Sequence, residues 1–267
     1  MSDVTKARVP TAKPVSAVTV SRTEWLTPAM VRLALTGDAV KDFPDAAVPS
    51  IGHTDTYVKL VFGDALRAYT LRSVDRDVGE LVIDFVIHGD EGLAGPWAAA
   101  AKPGDSIGFV GPGGEWSPRV DADSHLLVGD EAALPAIATA LERLLADNPA
   151  ATALVFAEVE DTAHEYPLAV GPNIVLRWVH RERAPYGERL VEAVLNASYP
   201  EGDVEAFVHG NADMVRPVRR YLLRDRGLER GHLSASGYWR AGLTDEAWRA
   251  VKRDFNAAME TDAGVED

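Results

Sequence analysis

The apolar residues of this chain follow two different periods, and the change between them near residue 120 limits the possible folds more than any other feature. From residue 15 to about residue 122 they form short alternating runs, most of them separated by Gly, Pro or Asp. Such runs predict strands. They lie at residues 18–20, 31–35, 57–62, 68–71, 81–87 and 106–110. Six short antiparallel strands in one domain predict a small closed Greek-key β-barrel.

After Asp123 short apolar runs alternate with longer helical patterns. The predicted strands lie at 125–129, 153–156, 174–179, 204–209 and 232–236, and the predicted helices at 132–145, 190–195, 214–223 and 244–258. This alternation predicts a parallel sheet covered by helices. Pro118 and residues 121–123 interrupt the pattern. We therefore expect a barrel domain at 15–122, an α/β domain at 123–261, and flexible ends at 1–14 and 262–267.

The charge and the lack of cysteine exclude several function classes. The 41 acidic and 27 basic residues give a formal net charge of −14, which disfavours nucleic acid and anionic membranes as partners. Without Cys the chain has no disulfide, thiolate zinc site or Cys-ligated iron–sulfur cluster, and its His residues have no metal-ligand spacing. Redox chemistry would therefore need an organic cofactor. The first fourteen residues lack the apolar run of a signal peptide, so we expect a cytoplasmic protein without membrane insertion.

Three short segments in the barrel half suit a flavin nucleotide. Arg67 and Arg72 flank Tyr69, so one strand carries two guanidinium groups for a pyrophosphate and a flat ring for a flavin. Residues 84–89 end in His-Gly, and residues 92–97 place a Gly-Pro pair at the start of an apolar segment whose helix N-terminus suits an anion. Taken alone, the first segment is more typical of an ordinary exposed strand, since Tyr and Thr favour strands; the combination and order of the three segments favour the flavin.

In this order the segments resemble the siderophore-interacting protein family, flavin enzymes of the ferredoxin reductase-like superfamily that reduce ferric siderophores. The resemblance covers residues 15–255. The barrel half carries Arg67-x-Tyr69-Thr70-x-Arg72, Asp84-Phe85-Val86-x-His88-Gly89, Trp97-Ala98, Lys102-Pro103-Gly104-Asp105 and Gly111-Pro112-Gly113-Gly114. The distal half carries two specific motifs, Leu127-Val128-Gly129-Asp130-Glu131-x-Ala133-Leu134-Pro135-Ala136-Ile137 and Ser236-Gly237-Tyr238-Trp239-Arg240-x-Gly242.

The resemblance implies an FAD site on the barrel. Tyr69 would pack on the isoalloxazine and Thr70 would lie near the flavin N5, so these two are the predicted catalytic residues. Arg72 and His88 would face the pyrophosphate, although a histidine at a strand end can also have a local backbone partner. The other predicted FAD contacts are Arg67, Leu71, Asp84, Val86, Gly92, Ala94, Gly95 and Trp97. Leu93 and Pro96 depart from the family pattern, which predicts a later start of the helix.

The segment Gly129-Asp130-Glu131 follows a predicted strand and opens a helix, where an α/β sheet receives a nucleotide. The resemblance makes NADH or NADPH the predicted ligand, in contact with this segment and Ala133. Glu158 and Asp161 would hold a ribose hydroxyl and oppose a 2′-phosphate. Guanidinium groups, which suit a 2′-phosphate, follow at Arg177, Arg181 and Arg183. We expect NADH to serve at least as well as NADPH. Asn211 is a further departure, since the family usually has an acidic residue there.

The last motif places Tyr238 and Trp239 at the carboxyl end of the final strand. They would cover the flavin until a nicotinamide displaces them, or simply pack at the domain interface. The implied substrate is a ferric siderophore, an anionic chelate held by Lys59, Arg240 and Lys252, of which Lys252 better suits a solvated surface position. The implied protein is a monomeric NAD(P)H-dependent ferric-siderophore reductase. A generic flavin or electron-transfer reductase and a non-catalytic siderophore carrier remain alternatives.

Overall fold

The first half of the chain is a closed barrel of six antiparallel strands in the order β1-β2-β5-β4-β3-β6. The structure is a computed structural model and describes residues 14–43, 52–88 and 92–262. The barrel strands are β1 (Ser16–Thr27), β2 (Met30–Thr36), β3 (Tyr57–Phe62), β4 (Ala65–Asp75), β5 (Glu80–Val86) and β6 (Ser106–Gly113). Two short helices accompany them, α1 (Asp38–Lys41) and α2 (Ala94–Ala100). The predicted Greek-key barrel is confirmed.

Alternate side chains of the barrel strands point inward, as the period of two requires. Val58 and Leu60 of β3 and Phe85 of β5 are fully buried in the barrel core. The same alternation leaves Lys59 and Thr70, which lie between core positions, half-buried on the outer face. The outer face of β3 and β4 therefore carries polar side chains beside a rigid apolar core.

The second half is a five-stranded parallel sheet, as predicted, and its strand order is β11-β10-β7-β8-β9. Its strands are β7 (Ser124–Gly129), β8 (Ala153–Val159), β9 (Ile174–His180), β10 (Val204–Asn211) and β11 (Leu233–Trp239). Its helices are α3 (Leu134–Asp147), α4 (Glu188–Leu195), α5 (Ala212–Arg220) and α6 (Asp245–Asp262). The core on one face of the sheet includes α3, and the core on the other includes α4, α5 and α6.

The two halves share a continuous apolar core on the α3 side of the sheet. Met30 of the barrel and Trp116, just after β6, pack with Leu127, Phe207 and α3 in that core. The Trp116 indole also donates a hydrogen bond to Glu205. In the part of the chain that the structure describes, no helix is long and apolar enough to cross a membrane. Across the same residues, no cluster of three or more His, Asp or Glu side chains has a geometry suited to a metal ion.

Candidate functional site

Strand β4 brings the predicted flavin residues to the edge of the barrel. Tyr69 packs against the buried Phe85 with a centroid distance of 4.5 Å, and burial raises the pKa of its hydroxyl. Thr70 pairs with Tyr57 of β3. Leu71 is buried in the barrel core, so its side chain supports the strand from the inside. This strand thus carries an aromatic ring and a hydroxyl at neighbouring positions.

Arg67, at the start of the same strand, contacts helix α6 of the distal half. Its guanidinium lies 3.2 Å from the Asp245 carboxylate and 2.5 Å from that of Glu246. Arg249 of α6 also donates a hydrogen bond to the carbonyl of Leu66. The N-terminal turns of α6 therefore lie directly against the strand that the sequence identified as the flavin strand.

Arg72 and Asp84 belong to a polar network that joins the barrel to the distal half. Arg72 forms a two-pronged ion pair with Glu142 of α3, and its Nε donates to the hydroxyl of Tyr166. The Tyr166 hydroxyl donates to Asp84, whose carboxylate also accepts two hydrogen bonds from Arg32 at 2.7 and 2.8 Å. The predicted cofactor contact of Asp84 needs correction, because its side chain has no exposed surface and its oxygens are already paired. Arg72 likewise has interdomain partners that the sequence did not predict.

The segment after β5 supplies further anion donors. Helix α2 begins at Ala94, with no acidic residue in its first turn, so the Ala94 and Gly95 amides belong to the helix end that favours negative charge. The helix starts before Pro96, which therefore does not delay it. Gly92 has φ of 85°, a conformation that favours glycine, and the space where a side chain would lie is open. Trp97 packs on Phe62 and Phe85. Gly89 lies outside the described residues.

This donor set fits an FAD pyrophosphate. The Arg67 and Arg72 guanidinium groups, the exposed His88 imidazole and the first-turn amides of α2 are all donors, and the position of a side chain at Gly92 is open. Val86 packs toward the shared apolar core and supports this segment from below. The guanidinium groups of Arg67 and Arg72 would have to share their N–H groups with the carboxylates that now contact them.

The turn between β7 and α3 is held together by Asp130. Its carboxylate accepts hydrogen bonds from the backbone N–H of Ala132 at 3.0 Å and of Asn211 at 2.7 Å, and from the Trp239 indole at 2.9 Å. Burial, with the nearby Glu131 acting in the same direction, raises the pKa of Asp130 to about 7. Gly129 packs so closely on Ala133 that a side chain has no room. Asp130 is 2% exposed, so it supports the turn from within.

Glu131, Glu158 and Arg181 form a buried charge cluster at the same end of the sheet. Arg181 donates to Glu131 at 2.8 and 3.2 Å, to Glu158 at 3.2 Å and to Glu160 at 2.8 Å. Glu158 also accepts from the backbone N–H of Gly187. The predicted ribose contact of Glu158 needs correction, since this side chain has no exposed surface. Glu160, two residues later, has an exposed carboxylate.

Three aromatic rings line the junction between the barrel and the carboxyl end of the sheet. Trp239 lies 4.8 Å from Tyr186, nearly perpendicular to it, and 5.8 Å from His88 of the barrel. The Arg181 guanidinium lies 4.0 Å from the Tyr186 ring centre. Tyr238 points the other way and packs on His209, so only Trp239 of the predicted pair contacts the barrel histidine. Burial raises the pKa of the Tyr238 hydroxyl.

The three predicted substrate cations lie on different elements. Arg240 pairs with Asp213 of α5 at 3.0 Å and lies over the ring of Phe255. Lys252 of α6 is half-buried, and burial lowers the pKa of its ammonium. Lys59 of β3 pairs with Ala68, the neighbour of Arg67. Lys59 thus lies one position along the ladder from Arg67, the residue that contacts α6.

Sequence reasoning assigned no role to Glu142, Tyr166 or Tyr186. Glu142 lies on a helix face that contacts the barrel, Tyr166 follows a short 3-10 turn after β8, and Tyr186 precedes α4. Nothing in their local sequence distinguishes them from ordinary surface residues. The barrel partners of Glu142 and Tyr166 are 70 to 134 positions away along the chain, and Trp239 lies 53 positions from Tyr186.

Comparisons with known proteins agree with this architecture. The family model described as "Siderophore-interacting protein" matches residues 122–242, and that described as "Siderophore-interacting FAD-binding domain" matches residues 63–116. An uncharacterized protein of Mycobacterium tuberculosis is 37% identical over 95% of this chain and 99% of its own length. The ferric vibriobactin reductase ViuB of Vibrio cholerae is 29% identical over 85% of this chain and 90% of its own. The crystal structure of a siderophore utilization protein from T. fusca is 32% identical, with a TM-score of 0.75, covering 87% of this chain and 95% of that one.

Proposed function

Because this chain belongs to the siderophore-interacting protein family, we propose that it is an FAD-dependent NAD(P)H:ferric-siderophore oxidoreductase that releases iron in the cytoplasm. The observation that carries the proposal is the junction of the two halves. There the barrel segment after β5 meets the carboxyl end of the parallel sheet through His88 and Trp239. The carboxyl end of such a sheet is where nucleotides bind. A flavin on the barrel and a nicotinamide on the sheet would therefore meet.

The electrons balance when one NAD(P)H reduces two iron(III) ions. One NAD(P)H yields NAD(P)⁺, a proton and two electrons, which reduce two iron(III) ions to iron(II). When bound, FAD supplies the conversion between a two-electron donor and one-electron acceptors. Iron(II) binds hard oxygen ligands less tightly than iron(III), so reduction favours release of the metal.

The protein's own residues would bind and orient the reactants. Arg72, His88 and the first-turn amides of α2 would hold the pyrophosphate, while Tyr69 would pack on the ring system beside Thr70, with Arg67 farther along the same strand. These groups are supported from within by Phe85 and Leu71. No general acid–base pair is needed. The role of the protein is to hold the two reactants in contact and to supply donors for their charges.

The charge distribution at the end of β8 supports a preference for NADH. Arg181 is 4% exposed and already paired with three carboxylates, so it is not free to bind a 2′-phosphate. Glu160 and Asp161, by contrast, have exposed carboxylates that would repel one. Arg177 and Arg183 are exposed and are the cations that could oppose this preference.

For the ferric siderophore we propose contacts by Lys59, Arg240 and Lys252. The net charge of −14 gives no long-range attraction for an anionic chelate, so local cations must bind it. Lys59 lies beside the flavin strand. Arg240 would have to exchange its present partner Asp213 for the chelate.

The first experiment tests both half-reactions separately. The FAD-loaded protein is mixed anaerobically with NADH or NADPH, and bleaching of the flavin absorbance is followed. A ferric siderophore is then added with a chelator specific for iron(II). We expect NADH to bleach the flavin at least as efficiently as NADPH, and two iron(II) ions to form per NADH consumed. Rapid bleaching without iron(II) would indicate a reductase for another acceptor. A protein that could not be loaded with FAD at the outset would favour a siderophore carrier.

A second experiment tests the flavin strand itself. Arg67→Ala and Arg72→Ala should each weaken FAD binding by about tenfold to a hundredfold, since each loses a charge-assisted contact. Affinity is measured by fluorescence titration of the protein freed of flavin. Arg22→Ala is the matched control, because Arg22 is an exposed arginine on a different barrel strand. Equal affinities in all three variants would exclude the assigned roles.

A further inference from the structure

The two motifs that carry the family resemblance in the distal half meet at one buried carboxylate. Asp130 belongs to the motif after β7 and Trp239 to the motif at the end of β11, and the Trp239 indole Nε1 donates to Asp130 Oδ2 at 2.9 Å. The same oxygen accepts the backbone N–H of Asn211. Asp130 therefore fixes the relative position of three parallel strands at the end where a nucleotide is expected.

The surroundings of Asp130 leave its carboxylate one orientation. At Gly210, where φ is 131°, a side-chain carbon would lie 2.6 Å from the Asp130 carboxylate. A residue larger than glycine would therefore collide with it. Because Asp130 is 2% exposed and its oxygens already accept three hydrogen bonds, it is shielded from direct ligand contact. Trp239 is the one side chain among its three hydrogen-bond donors in the described part of the chain, so Trp239 can carry the influence of Asp130 to a ligand in the junction.

Trp239 contacts aromatic residues of both the distal half and the barrel. Its ring is half-buried, stands nearly perpendicular to Tyr186 and faces His88 of the barrel. Tyr186 in turn lies against Arg181, which the buried carboxylates of Glu131 and Glu158 hold in place. Trp239 and Tyr186 together form an aromatic wall. The first ring is held by buried Asp130 and the second by buried Arg181. A flat ring entering between the sheet and the barrel would meet aromatic surfaces that are already fixed.

We propose that Asp130 is a positioning residue for the nicotinamide ring, acting through its hydrogen bond to the Trp239 indole. This inference rests on the proposed NAD(P)H-dependent function. An indole without an acceptor at Nε1 can rotate about its side-chain bonds, whereas the bonded indole has a single orientation. A wall that is ordered before binding lowers the entropy that the nicotinamide must lose. The wall does not contact the adenosine half of the nucleotide, so the orientation of Trp239 should not change how tightly that half binds.

The test separates the nicotinamide from the rest of the nucleotide. NAD⁺ and ADP-ribose are titrated by calorimetry into the oxidised, FAD-loaded protein, because neither compound reduces the flavin. Trp239→Phe keeps an aromatic ring but removes the donor, and Asp130→Asn removes the charge of the acceptor. We expect each variant to bind NAD⁺ about five- to tenfold more weakly and ADP-ribose within about twofold of the unmodified protein. Trp25→Phe, an exposed tryptophan of β1, is the matched control and should change neither affinity.

A double-mutant cycle shows whether the two residues act as one unit. Trp239→Phe removes the donor of this hydrogen bond and Asp130→Asn weakens its acceptor, so the double variant should lose about as much NAD⁺ affinity as Trp239→Phe alone. In anaerobic stopped-flow with NADH, the apparent dissociation constant should rise more than the limiting rate of flavin bleaching falls.

Three outcomes would overturn the proposal. Equal losses of NAD⁺ and ADP-ribose affinity in Trp239→Phe would indicate a general structural role. Unchanged NAD⁺ affinity in Trp239→Phe would show that the hydrogen bond to Asp130 does not position the nicotinamide, whether or not Asp130→Asn folds. If the unmodified protein bound neither compound and NADH did not bleach the flavin, the proposed function would fail as well, which distinguishes that case from the other two.

Discussion

At the scale of single residues, His209 and Asp130 are buried groups with opposite pKa shifts. Their effects on the unfolding free energy at acid pH should largely cancel. Burial lowers the pKa of His209 to about 3 from its ordinary 6.5, and Lys252 acts in the same direction. As the pH falls below 6.5, the unfolded chain takes up a proton that folded His209 refuses, so stability falls. Asp130 has a pKa of about 7, raised from 3.8, so the folded state takes up a proton first and stability rises.

Removing either group should therefore reveal how the other makes the unfolding free energy depend on pH. Between pH 6.5 and pH 5 each contributes about 1.5–2 kcal/mol, with opposite signs. His209→Gln should become more stable toward pH 5, relative to the unmodified protein, and Asp130→Asn less stable. Urea unfolding at the two pH values measures both changes. Parallel slopes in the two variants and the unmodified protein would contradict these shifts.

Arg181 and Arg183 form a natural pair for a second residue-scale prediction. Arg181→Ala would leave the buried carboxylates of Glu131 and Glu158 without their cation, which costs about 3–5 kcal/mol of unfolding free energy. Arg183→Ala removes an exposed guanidinium, and we expect a change within about 0.5 kcal/mol. Urea denaturation measures both. Comparable losses would show that Arg181 is no more structural than its exposed neighbour.

At the scale of elements, the turn from β7 into α3 depends on the absence of a side chain at Gly129. A Cβ there would lie 2.6 Å from that of Ala133 and 2.9 Å from Ile137, so strand and helix would have to separate. Gly129→Ala should therefore lower the unfolding free energy by about 1–3 kcal/mol. It should also weaken NADH binding, because the helix start moves. The readouts are thermal unfolding and nucleotide titration.

Gly231→Ala is the matched control for this prediction. Gly231 lies in a 3-10 turn, and no heavy atom lies within 4 Å of the position that its side chain would take. Reducing the freedom of the unfolded chain should leave the variant as stable as the unmodified protein or slightly more so. If both alanine variants behaved alike, the close packing at Gly129 would not be what holds this turn.

At the scale of the whole molecule, the Tyr166 hydroxyl joins the two halves. It donates to Asp84 of the barrel in a buried hydrogen bond and accepts from Arg72 and Arg32, which are partly buried. Tyr166→Phe should lower the unfolding free energy by about 1.5–3 kcal/mol, since the lost hydrogen bonds involve charged groups. If Arg72 also holds the pyrophosphate, FAD affinity should change in the same variant. Thermal unfolding and flavin titration measure the two effects.

Tyr199→Phe provides the comparison, because the Tyr199 hydroxyl is buried without a hydrogen-bond partner among the described residues. Its removal should be neutral or slightly stabilising. A loss of stability in Tyr199→Phe as large as that in Tyr166→Phe would mean that the interdomain network contributes little.

Most of the architecture follows from local patterns. A period of two and a period of 3.6 are properties of neighbouring residues, so the barrel strands, the parallel sheet and the change between them could be predicted from the sequence alone. That Arg67, Tyr69 and Thr70 share one strand could be predicted for the same reason, since they lie within four positions on β4. The resemblance to a family also rests on such contiguous segments.

The partners of the charged residues could not be predicted in this way. Arg72 was expected to face only a pyrophosphate, yet it pairs with Glu142, 70 positions away. Asp84 accepts a hydrogen bond from Tyr166, 82 positions away. Glu158 is fully buried and accepts a hydrogen bond from Arg181. Local sequence determines which residues form strands and helices, because backbone geometry is a short-range property. Tertiary structure alone decides which charges meet and which lose their water, because both depend on elements that approach only when the two halves pack together.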